Sequence, residues 1–263
     1  MQVNGKWVWI TGASSGIGEA LSYALADRGA NLILSSRKQA DLEAVKANCA
    51  PTSKVIIQVL DVAQQASFQQ ITEDLLAETG SIDILINNAG VSQRGLAQNT
   101  DIAVDRRIME INYFGAIALT KTVLPYMLER NSGHFVAISS LVGKFGSPMR
   151  TTYAASKHAL HGFFDSLRAE LHMTNIKVTL VCPGYIRTDI SKNALTSDGS
   201  PQGTMDQNQE NGMSPETLAK KIIRAIETNK REIVVGGKET MGVYLKRFVP
   251  GLFAKIVRNV NVK

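Results

Sequence analysis

The sequence feature that most limits the possible folds is a glycine-rich turn between an apolar strand and an amphipathic helix. A strand is predicted over residues 6–11, and Gly12, Gly16 and Gly18 follow it directly. Apolar residues then recur with a helical period from residue 17 to residue 25. Such a turn lets the backbone approach a pyrophosphate, and the helix N-terminus supplies free N–H groups. The G-x-x-x-G-x-G spacing departs from the G-x-G-x-x-G fingerprint, so an ordinary tight turn is the alternative.

Short β-branched runs alternate with helical stretches along the chain, and this alternation predicts an α/β fold. The predicted strands span residues 6–11, 31–36, 54–60, 83–87, 133–139, 176–182 and 231–235. We expect a single doubly wound, seven-stranded parallel sheet with helices on both faces. A chain of 263 residues is long enough for one such domain with a full core.

The end of the second predicted strand indicates which nicotinamide dinucleotide is bound. An NAD site places Asp or Glu about 20 residues after the glycines, where it binds the ribose 2′-hydroxyl. Ser36 occupies that place here, and Arg37 and Lys38 follow it. A hydroxyl and two cations suit a 2′-phosphate, which arginine binds through its planar fork. The sequence therefore predicts NADP(H); the alternative is that both cations are the solvated start of the next helix.

Tyr153 and Lys157 form the candidate catalytic pair. Because they are four residues apart, on a helix they lie on one face about one turn apart. A nearby ammonium favours phenolate and lowers the tyrosine pKa from its usual value near 10. Tyr153 then becomes a usable general acid or base. Of the six tyrosines, only this one has a lysine four residues later, and Ser140 precedes it by 13 residues.

The motifs occur in an order that resembles the short-chain dehydrogenase/reductase family over roughly residues 6–236. They are Thr11-Gly12-x-x-x-Gly16-Ile17-Gly18, Asn87-Asn88-Ala89-Gly90, Asn112, Ser140, Tyr153-x-x-x-Lys157 and Pro183-Gly184. The resemblance implies a Rossmann fold and hydride transfer between nicotinamide and a carbonyl or secondary alcohol. Residues 182–188 and the basic tail look most like the hydroxysteroid-dehydrogenase-like branch, whose members often act on lipophilic ketones or alcohols.

The resemblance also implies catalytic roles. Tyr153 protonates the substrate oxygen or takes its proton back, and Ser140 hydrogen-bonds that oxygen. Lys157 binds the nicotinamide ribose and tunes the tyrosine. Asn112, in the helical stretch 101–130, holds a water of the proton relay; a polar residue facing a buried water is its alternative. Ser139 competes with Ser140, and the 13-residue spacing to the tyrosine decides between them.

Further residues are expected around the cofactor and the substrate. The expected cofactor-binding residues are Gly12, Ser14, Ser15, Gly16, Ile17, Gly18, Ser36, Arg37, Lys38, Asp61, Val62, Asn88, Ala89, Gly90, Tyr153, Lys157, Pro183, Gly184, Ile186 and Thr188. The expected apolar walls of the substrate site are Leu141, Val142, Phe145, Pro148 and Tyr185. Asp61 could equally be only a helix cap, and Pro183-Gly184 is also ordinary turn punctuation.

The polar stretch at about 190–213 has few apolar anchors, so we expect a mobile lid over the substrate. A helix should begin after it, with Ser214 as its cap and Pro215 at its first position. Cys49 and Cys182 show no disulfide or metal pattern, and no metal is expected. His158 and His161 are expected on a helix surface.

The net charge of +6 is concentrated at the C-terminus. Residues 230–263 hold eight Lys/Arg and two Asp/Glu, whereas residues 1–229 hold 21 of each sign. No basic stripe covers the body of the chain, so nucleic-acid binding is not expected. The first strand begins by residue 6, which leaves no room for a signal peptide, and no 18-residue uncharged apolar run exists. A cytoplasmic location is expected.

The tail, residues 237–263, is predicted to be a basic amphipathic helical extension to the domain of residues 1–236. Its apolar face consists of Met241, Tyr244, Leu245, Phe248, Val249, Leu252, Phe253, Ile256, Val257 and Val260. The cations opposite are Lys246, Arg247, Lys255 and Arg258. Pro250-Gly251 should kink or split the helix.

Such a helix suits an anionic membrane surface, in which case removing residues 240–263 lowers vesicle binding. The alternatives are packing over the substrate pocket or against a second subunit. The resemblance implies a homodimer or homotetramer, because the helices carrying Asn112 and Tyr153 pair between subunits in most relatives.

Two rival functions fit parts of the pattern. A catalytically silent NADP(H)-binding sensor or scaffold keeps the fold, but such proteins usually lose the tyrosine or the lysine. A sugar-nucleotide epimerase shares the YxxxK motif, but usually has a larger C-terminal domain, for which no room remains. The sequence therefore favours an NADP(H)-dependent carbonyl reductase or alcohol dehydrogenase acting on a small molecule.

Overall fold

The computed structural model describes residues 2–260. In chain order the strands are β1 (Trp7–Thr11), β2 (Asn31–Ser36), β3 (Val55–Val59), β4 (Ile84–Asn87), β5 (Gln93–Arg94), β6 (Gly133–Ile138), β7 (Ile176–Pro183), β8 (Leu195–Thr196) and β9 (Glu232–Val235). The α-helices are α1 (Gly16–Ala26), α2 (Gln39–Ala47), α3 (Phe68–Thr79), α4 (Ile102–Met109), α5 (Gly115–Glu129), α6 (Thr151–Glu170), α7 (Gln207–Glu210), α8 (Pro215–Glu227), α9 (Met241–Phe248) and α10 (Pro250–Val257).

Seven of these strands form one parallel sheet in the order β3-β2-β1-β4-β6-β7-β9. The two short strands, β5 and β8, pair separately. The strand order reverses between β1 and β4, and at such a switch point a crevice opens at the carboxyl ends of the strands. The predicted doubly wound parallel sheet is confirmed, and each predicted strand boundary agrees with the structure to within one residue.

Both faces of the sheet are covered, which is why its strands read as nearly continuous apolar runs. Successive side chains of a strand point to opposite faces. In β1, accordingly, Val8 and Ile10 belong to the core beneath α1 and α8. Trp9 belongs to the opposite core, with apolar residues of α3, α5 and α6. This two-sided packing holds the carboxyl ends of the strands rigidly beneath the crevice.

The segment predicted as one helix over residues 101–130 is interrupted. Between α4 and α5, residues Glu110–Phe114 form a turn of π-helix. Such bulges occur frequently at functional sites. The interruption displaces Asn112 from the regular helical ladder, with consequences described below.

The C-terminal helices end the described chain. The break predicted at Pro250 is present, since α9 stops at Phe248 and α10 starts at Pro250. Ser214 caps α8 as predicted, because its hydroxyl accepts a hydrogen bond from the Thr217 N–H at 3.3 Å. Residue 1 of the predicted domain and residues 261–263 of the predicted extension lie outside the described residues. Among the helices of residues 2–260, none has the length and apolar character needed to cross a bilayer.

One histidine prediction is wrong. His161 is buried because it lies one turn after Lys157 on the face of α6 that packs against the sheet. Its Nε2 atom lies 3.0 Å from the Ser139 hydroxyl and 3.6 Å from the Cys182 thiol, and its Nδ1 atom lies 3.6 Å from Glu232. Burial lowers the pKa of His161 to about 4, so at neutral pH the ring is an uncharged part of the core.

Candidate active site

A single cavity of about 960 Å³ follows the crevice at the carboxyl ends of the strands. One end lies between the glycine turn and the end of β2. The other end reaches the start of α6 and passes beneath α9 and α10. Most of the site residues expected from the sequence meet in this cavity, although they come from seven segments of the chain.

The glycine turn is shaped by close backbone contacts. Gly12 and Gly16 have φ angles of +65° and +58°, a region that favours glycine. A Cβ atom on Gly12 would lie 2.9 Å from Ala89 Cα, and one on Gly18 would lie 2.1 Å from Gly12 O. Gly18 does not line the cavity; it lets α1 approach the turn. The Ser15 side chain makes no capping hydrogen bond at the start of α1, which leaves the first-turn N–H groups for an anionic ligand.

The end of β2 brings positive charge to one end of the cavity. Ser36 is half-buried, Arg37 and Lys38 are exposed, and all three line the cavity. Arg107 of α4 lines the same end. Sequence reasoning missed Arg107, since no motif links it to a residue 70 positions earlier.

Two carboxylates lie at this end as well. Asp41 and Asp61 both line the cavity, together with Val62. The Asp61 carboxylate accepts a hydrogen bond from the Ala63 N–H at 3.0 Å. Asp61 therefore stabilises a local turn and faces the cavity. It is not the helix cap that the sequence offered as an alternative, because the N-cap position of the next helical turn is Gln64.

The turn after β4 is bonded to the turn after β1. The Asn88 side-chain amide donates to the carbonyls of Thr11 at 2.9 Å and Gly12 at 3.1 Å. The Thr11 hydroxyl accepts from the N–H groups of Asn88 and Ala89. These bonds fix both sides of the switch point. The remaining expected cofactor residues in the cavity wall are Ser14, Ile17, Gly90, Pro183, Gly184, Ile186 and Thr188.

The glycine turn and its surroundings fit a dinucleotide. A cleft that a Cβ atom would obstruct and an uncapped helix start fit the shape and charge of a pyrophosphate.

The candidate catalytic residues lie at the opposite end of the cavity. Tyr153 and Lys157 are buried on α6, and the Lys157 ammonium lies 5.8 Å from the centre of the Tyr153 ring. The ammonium donates to the Ile138 carbonyl at 2.8 Å. Ser140 is half-buried and lines the cavity. The Ser139 hydroxyl is engaged by the Lys157 carbonyl and by His161, which leaves Ser140 as the hydroxyl facing the cavity.

The pKa of Tyr153 is raised above its usual value in this structure, so the expectation that Lys157 makes the phenol more acidic is wrong here. Burial is the largest cause and raises the pKa. Arg150, a hydrogen bond with Ser140, and Arg94 act in the opposite direction. The Lys157 ammonium donates to a backbone carbonyl, and burial lowers the pKa of Lys157 itself to about 8.

Asn112 does not line the cavity. Its side-chain oxygen accepts from the Val91 N–H at 2.8 Å, and its amide donates to the Val91 carbonyl and to the Ser156 hydroxyl. Located on the π-helical turn, Asn112 joins the loop after β4 to α6. The geometry therefore supports a positioning role for this side chain.

Most of the residues expected to form the apolar walls of the substrate site line this end of the cavity. Leu141, Val142, Phe145 and Tyr185 line it. Pro148 does not: the chain turns at Met149, where φ is +61°, and the residues that line the cavity on either side of the turn are Ser147 and Arg150. Additional walls come from the C-terminal helices, namely Met241, Gly242, Leu245, Phe253, Ile256, Val257 and Val260.

A buried charge cluster lies beside Tyr153, and no sequence pattern predicted it. Arg94 of β5, Arg150 at the start of α6 and Asp206 are all buried, and one carboxylate oxygen of Asp206 pairs with both arginines. Arg94 and Arg150 line the cavity. Their positions are 112 and 56 residues from Asp206, so no local spacing could have predicted the contact.

The segment predicted as a lid, about 190–213, is anchored by polar contacts. It contains β8 and α7, and Ser191, Asp206 and Gln209 are buried within it. The Asp206 N–H donates to the Ser191 hydroxyl at 3.2 Å. Buried polar side chains therefore anchor this segment to the domain, which the scarcity of apolar residues in its sequence did not indicate. The mobility of the segment stays a prediction.

The parallel sheet has a glycine turn at its switch point, and a tyrosine–lysine pair lies in the same cavity. This combination defines a nucleotide-binding oxidoreductase of the Rossmann type. The chain belongs to the short chain dehydrogenase family, whose sequence profile matches residues 6–198.

Full-length relatives extend this likeness beyond the matched profile. The chain is 42% identical over 268 residues to a Drosophila melanogaster protein named dehydrogenase/reductase SDR family protein 7-like, covering 100% of this chain and 82% of that protein. It is 42% identical over 256 residues to the Mus musculus dehydrogenase/reductase SDR family member 7B, covering 95% and 79% of the two chains.

Solved structures show the same architecture. A closed form of serine dehydrogenase complexed with NADP+ is 27% identical, with a TM-score of 0.79 over 88% of this chain and 94% of that one. A short-chain dehydrogenase/reductase from Burkholderia phymatum in complex with NAD superposes with a TM-score of 0.84 over 100% and 99% of the chains. Its identity of 23% makes this second likeness one of fold alone.

Proposed function

We propose that this protein is an NADP(H)-dependent oxidoreductase that interconverts a carbonyl and a secondary alcohol, with Tyr153 as the general acid or base. The observation that carries the proposal is a buried Tyr153 facing the same cavity as the glycine turn, with Ser140 and Lys157 in the wall of that cavity. Bound at the glycine turn, the nicotinamide cofactor supplies or accepts the hydride.

The protein's own residues manage the substrate oxygen. A phenol whose pKa lies above its usual value is protonated at neutral pH, so Tyr153 can donate its proton as a carbonyl is reduced. Ser140 can donate a second hydrogen bond to the same oxygen and hold it in place. Lys157 would bind the nicotinamide ribose, and its charge would stabilise the phenolate left after proton transfer. Asn112 holds the loop after β4 against α6.

The reaction is tested by mixing the protein with NADPH and a panel of ketones, aldehydes and quinones and following the loss of NADPH absorbance. A catalytically silent sensor or scaffold is the alternative. Tight NADPH binding without turnover of any panel member would favour that alternative, although the presence of both Tyr153 and Lys157 in one cavity supports the enzyme.

The proposed preference for NADP(H) is supported by the cations at the outer end of the cavity, Arg37, Lys38 and Arg107. We predict that Arg37→Ala weakens NADPH binding by about 10-fold or more and changes NADH binding by less than about twofold, because a charge-assisted hydrogen bond contributes about 1.5–3 kcal/mol. Titration of each nucleotide by fluorescence measures both effects. Equal losses for the two nucleotides would reject the 2′-phosphate role.

A lipophilic substrate is supported by the inner face of the C-terminal helices. Leu245 and Phe253 line the cavity, and the Phe253 ring contacts Phe145 edge to face at 5.1 Å. These contacts support packing of the inner face of the C-terminal helices over the substrate pocket, one of the two alternatives to membrane contact. The hydroxysteroid-dehydrogenase-like substrate class remains part of the proposal.

The outer face of the same helices supports peripheral contact with an anionic membrane. Tyr244, Phe248 and Leu252 are 62%, 75% and 51% exposed. The four flanking cations, Lys246, Arg247, Lys255 and Arg258, are also exposed. Apolar side chains bordered by cations suit the surface of a bilayer that contains acidic lipids.

We predict that Phe248→Ser combined with Leu252→Ser lowers binding to vesicles containing phosphatidylserine by at least about 10-fold, because each buried side chain contributes about 1.5–3 kcal/mol. These outward residues are better targets than a deletion of 240–263, which would also remove cavity walls. Met173→Ser, at a residue 84% exposed outside these helices, is the matched control. Unchanged sedimentation of the double variant with vesicles would argue against membrane contact.

We also propose the domain bounds, the oligomeric state and the location of the protein. They are a Rossmann domain over residues 1–236 with a C-terminal extension over 237–263, a homodimer or homotetramer, and a cytoplasmic location at times peripheral to a membrane. Exposed Phe114 and Leu128, on the surface of the π turn and α5, support subunit pairing through these helices.

A further inference from the structure

The buried cluster of Arg94, Arg150 and Asp206 is not electrically balanced. Every guanidinium nitrogen of Arg94 has a partner: its Nε atom and one terminal nitrogen bond Asp206, and the other terminal nitrogen donates to the Ser92 hydroxyl and the Gln93 carbonyl. Arg150 has only a longer contact of 3.5 Å to the same carboxylate oxygen. Two cations therefore share one anion in a region shielded from water.

Arg150 has unused hydrogen-bonding capacity. Its residue is 8% exposed, and its Nε atom is buried without a hydrogen-bond partner among the described residues. The nearest aromatic group is the Tyr185 ring, whose centre lies 6.0 Å from the guanidinium carbon. An incompletely paired buried cation is costly, and here its side chain forms part of the cavity wall.

We propose that Arg150 binds an anionic group of the substrate, a carboxylate or a phosphate. The structure thereby narrows the substrate class, within the proposed function, to carbonyl compounds that combine an oxyanion with an apolar body. A planar guanidinium recognises both kinds of oxyanion. The unpartnered Nε atom is too buried to meet a ligand, so the oxyanion would bind the terminal nitrogens of Arg150, whose contact with Asp206 is 3.5 Å long. The charge that Asp206 leaves uncompensated is the feature that calls for such a ligand.

The position of Arg150 also limits where the anion sits relative to the reacting carbon. Arg150 immediately precedes α6 and Tyr153 lies in its first turn, so the two side chains start about one helical turn apart. A substrate whose carbonyl lies at Tyr153 could therefore reach Arg150 with an anionic group in the same cavity. The apolar body would extend toward Phe145 and Phe253, which line the same cavity.

The test compares matched substrates in the presence of NADPH. A medium-chain 3-oxo carboxylate is measured against its methyl ester, and a phosphorylated hydroxyketone against the unphosphorylated hydroxyketone. For whichever oxyanion is recognised, we expect the charged member of the pair to have a kcat/KM about 10- to 100-fold higher, the range for hydrogen bonds to charged groups. The two pairs separate carboxylate recognition from phosphate recognition.

The quantity compared between variants is the ratio of kcat/KM for the charged substrate to kcat/KM for its neutral partner. Arg150→Gln should bring this ratio close to one, whereas Arg150→Lys should keep it above one but below the wild-type value. Arg224→Gln, which changes an exposed arginine of α8, should leave it intact. The ratio cancels any general effect of Arg150 on the acidity of Tyr153, because both members of a pair use that group. Arg150→Gln should fold, since Arg94 still balances Asp206. A ratio that is the same in wild type and in Arg150→Gln overturns the proposal.

Binding without catalysis separates this inference from the proposed function. Octanoate and octyl phosphate have no carbonyl, and their binding to the full chain can be followed by calorimetry without cofactor. If neither substrate pair is turned over but one of these anions binds and Arg150→Gln abolishes that binding, the anion site stands and the enzymatic proposal fails. If neutral ketones are reduced but neither anion binds, the enzymatic proposal stands and the anion site fails.

Discussion

Tyr153→Phe should lower turnover by about 100- to 10,000-fold, the contribution of a general acid or base, while NADPH binding changes by less than about twofold. The substitution removes only the phenolic oxygen, so the buried ring continues to pack against Val142 and Ala154. The rate falls because the variant has lost the phenolic O–H group that would protonate the substrate oxygen. Steady-state NADPH consumption and nucleotide titration measure the two quantities.

The direction of the pKa shift adds a pH criterion to this experiment. Because burial raises the pKa of Tyr153 above 10, the phenol is protonated throughout the neutral range. Carbonyl reduction should therefore show no loss from ionisation of Tyr153 near neutral pH. Alcohol oxidation, which needs the phenolate, should speed up as the pH rises. Tyr126→Phe, on α5, is the matched control, and a Tyr153→Phe variant as active as this control would refute the assignment.

Asp206→Asn should lower the free energy of unfolding by about 3–5 kcal/mol, the cost of removing one partner from a buried ion pair. The Asp206 side chain is 2% exposed and is paired with both arginines. The asparagine keeps the shape but leaves two guanidinium groups buried without an anion. Urea denaturation followed by circular dichroism measures the change.

Two further variants make this stability prediction specific. Asp74→Asn, at an exposed position on α3, should change the free energy of unfolding by less than about 0.5 kcal/mol. Adding Arg150→Gln to Asp206→Asn should restore part of the lost stability, because one of the two uncompensated cations is removed. An Asp206→Asn protein as stable as the Asp74→Asn control would show that the cluster is compensated in another way.

Much of the fold was predictable because it rests on local patterns. Strand and helix periods, the glycine turn and the cap at Ser214 each depend on a few neighbouring residues. The joint order of the motifs then places Ser140, Tyr153 and the glycine turn at the same edge of a parallel sheet, where the structure has them. The break before Pro250 was predictable for the same reason, since proline lacks the N–H that would continue the helix and is tolerated in a first helical turn.

Other predictions failed where burial decided the outcome. The pKa of Tyr153 depends on the water that packing excludes and on the nearby Arg150, and the spacing to Lys157 in the sequence shows neither. His161 was expected on a surface, because a helical period alone does not show how wide a stripe of α6 the sheet covers. Pro148 is excluded from the cavity wall by a turn at Met149 that no residue preference required.

The sequence by itself determined the parallel sheet, the dinucleotide turn and the identities of the proposed proton-transfer residues, because each depends on contacts between near neighbours or on a fixed order of strands. Only the tertiary structure decided which side chains from distant parts of the sequence are buried in the same region. Arg94, Arg150 and Asp206 are far apart along the chain, yet they share one desolvated volume beside Tyr153. Their charges interact strongly because folding removes the water that would otherwise screen them.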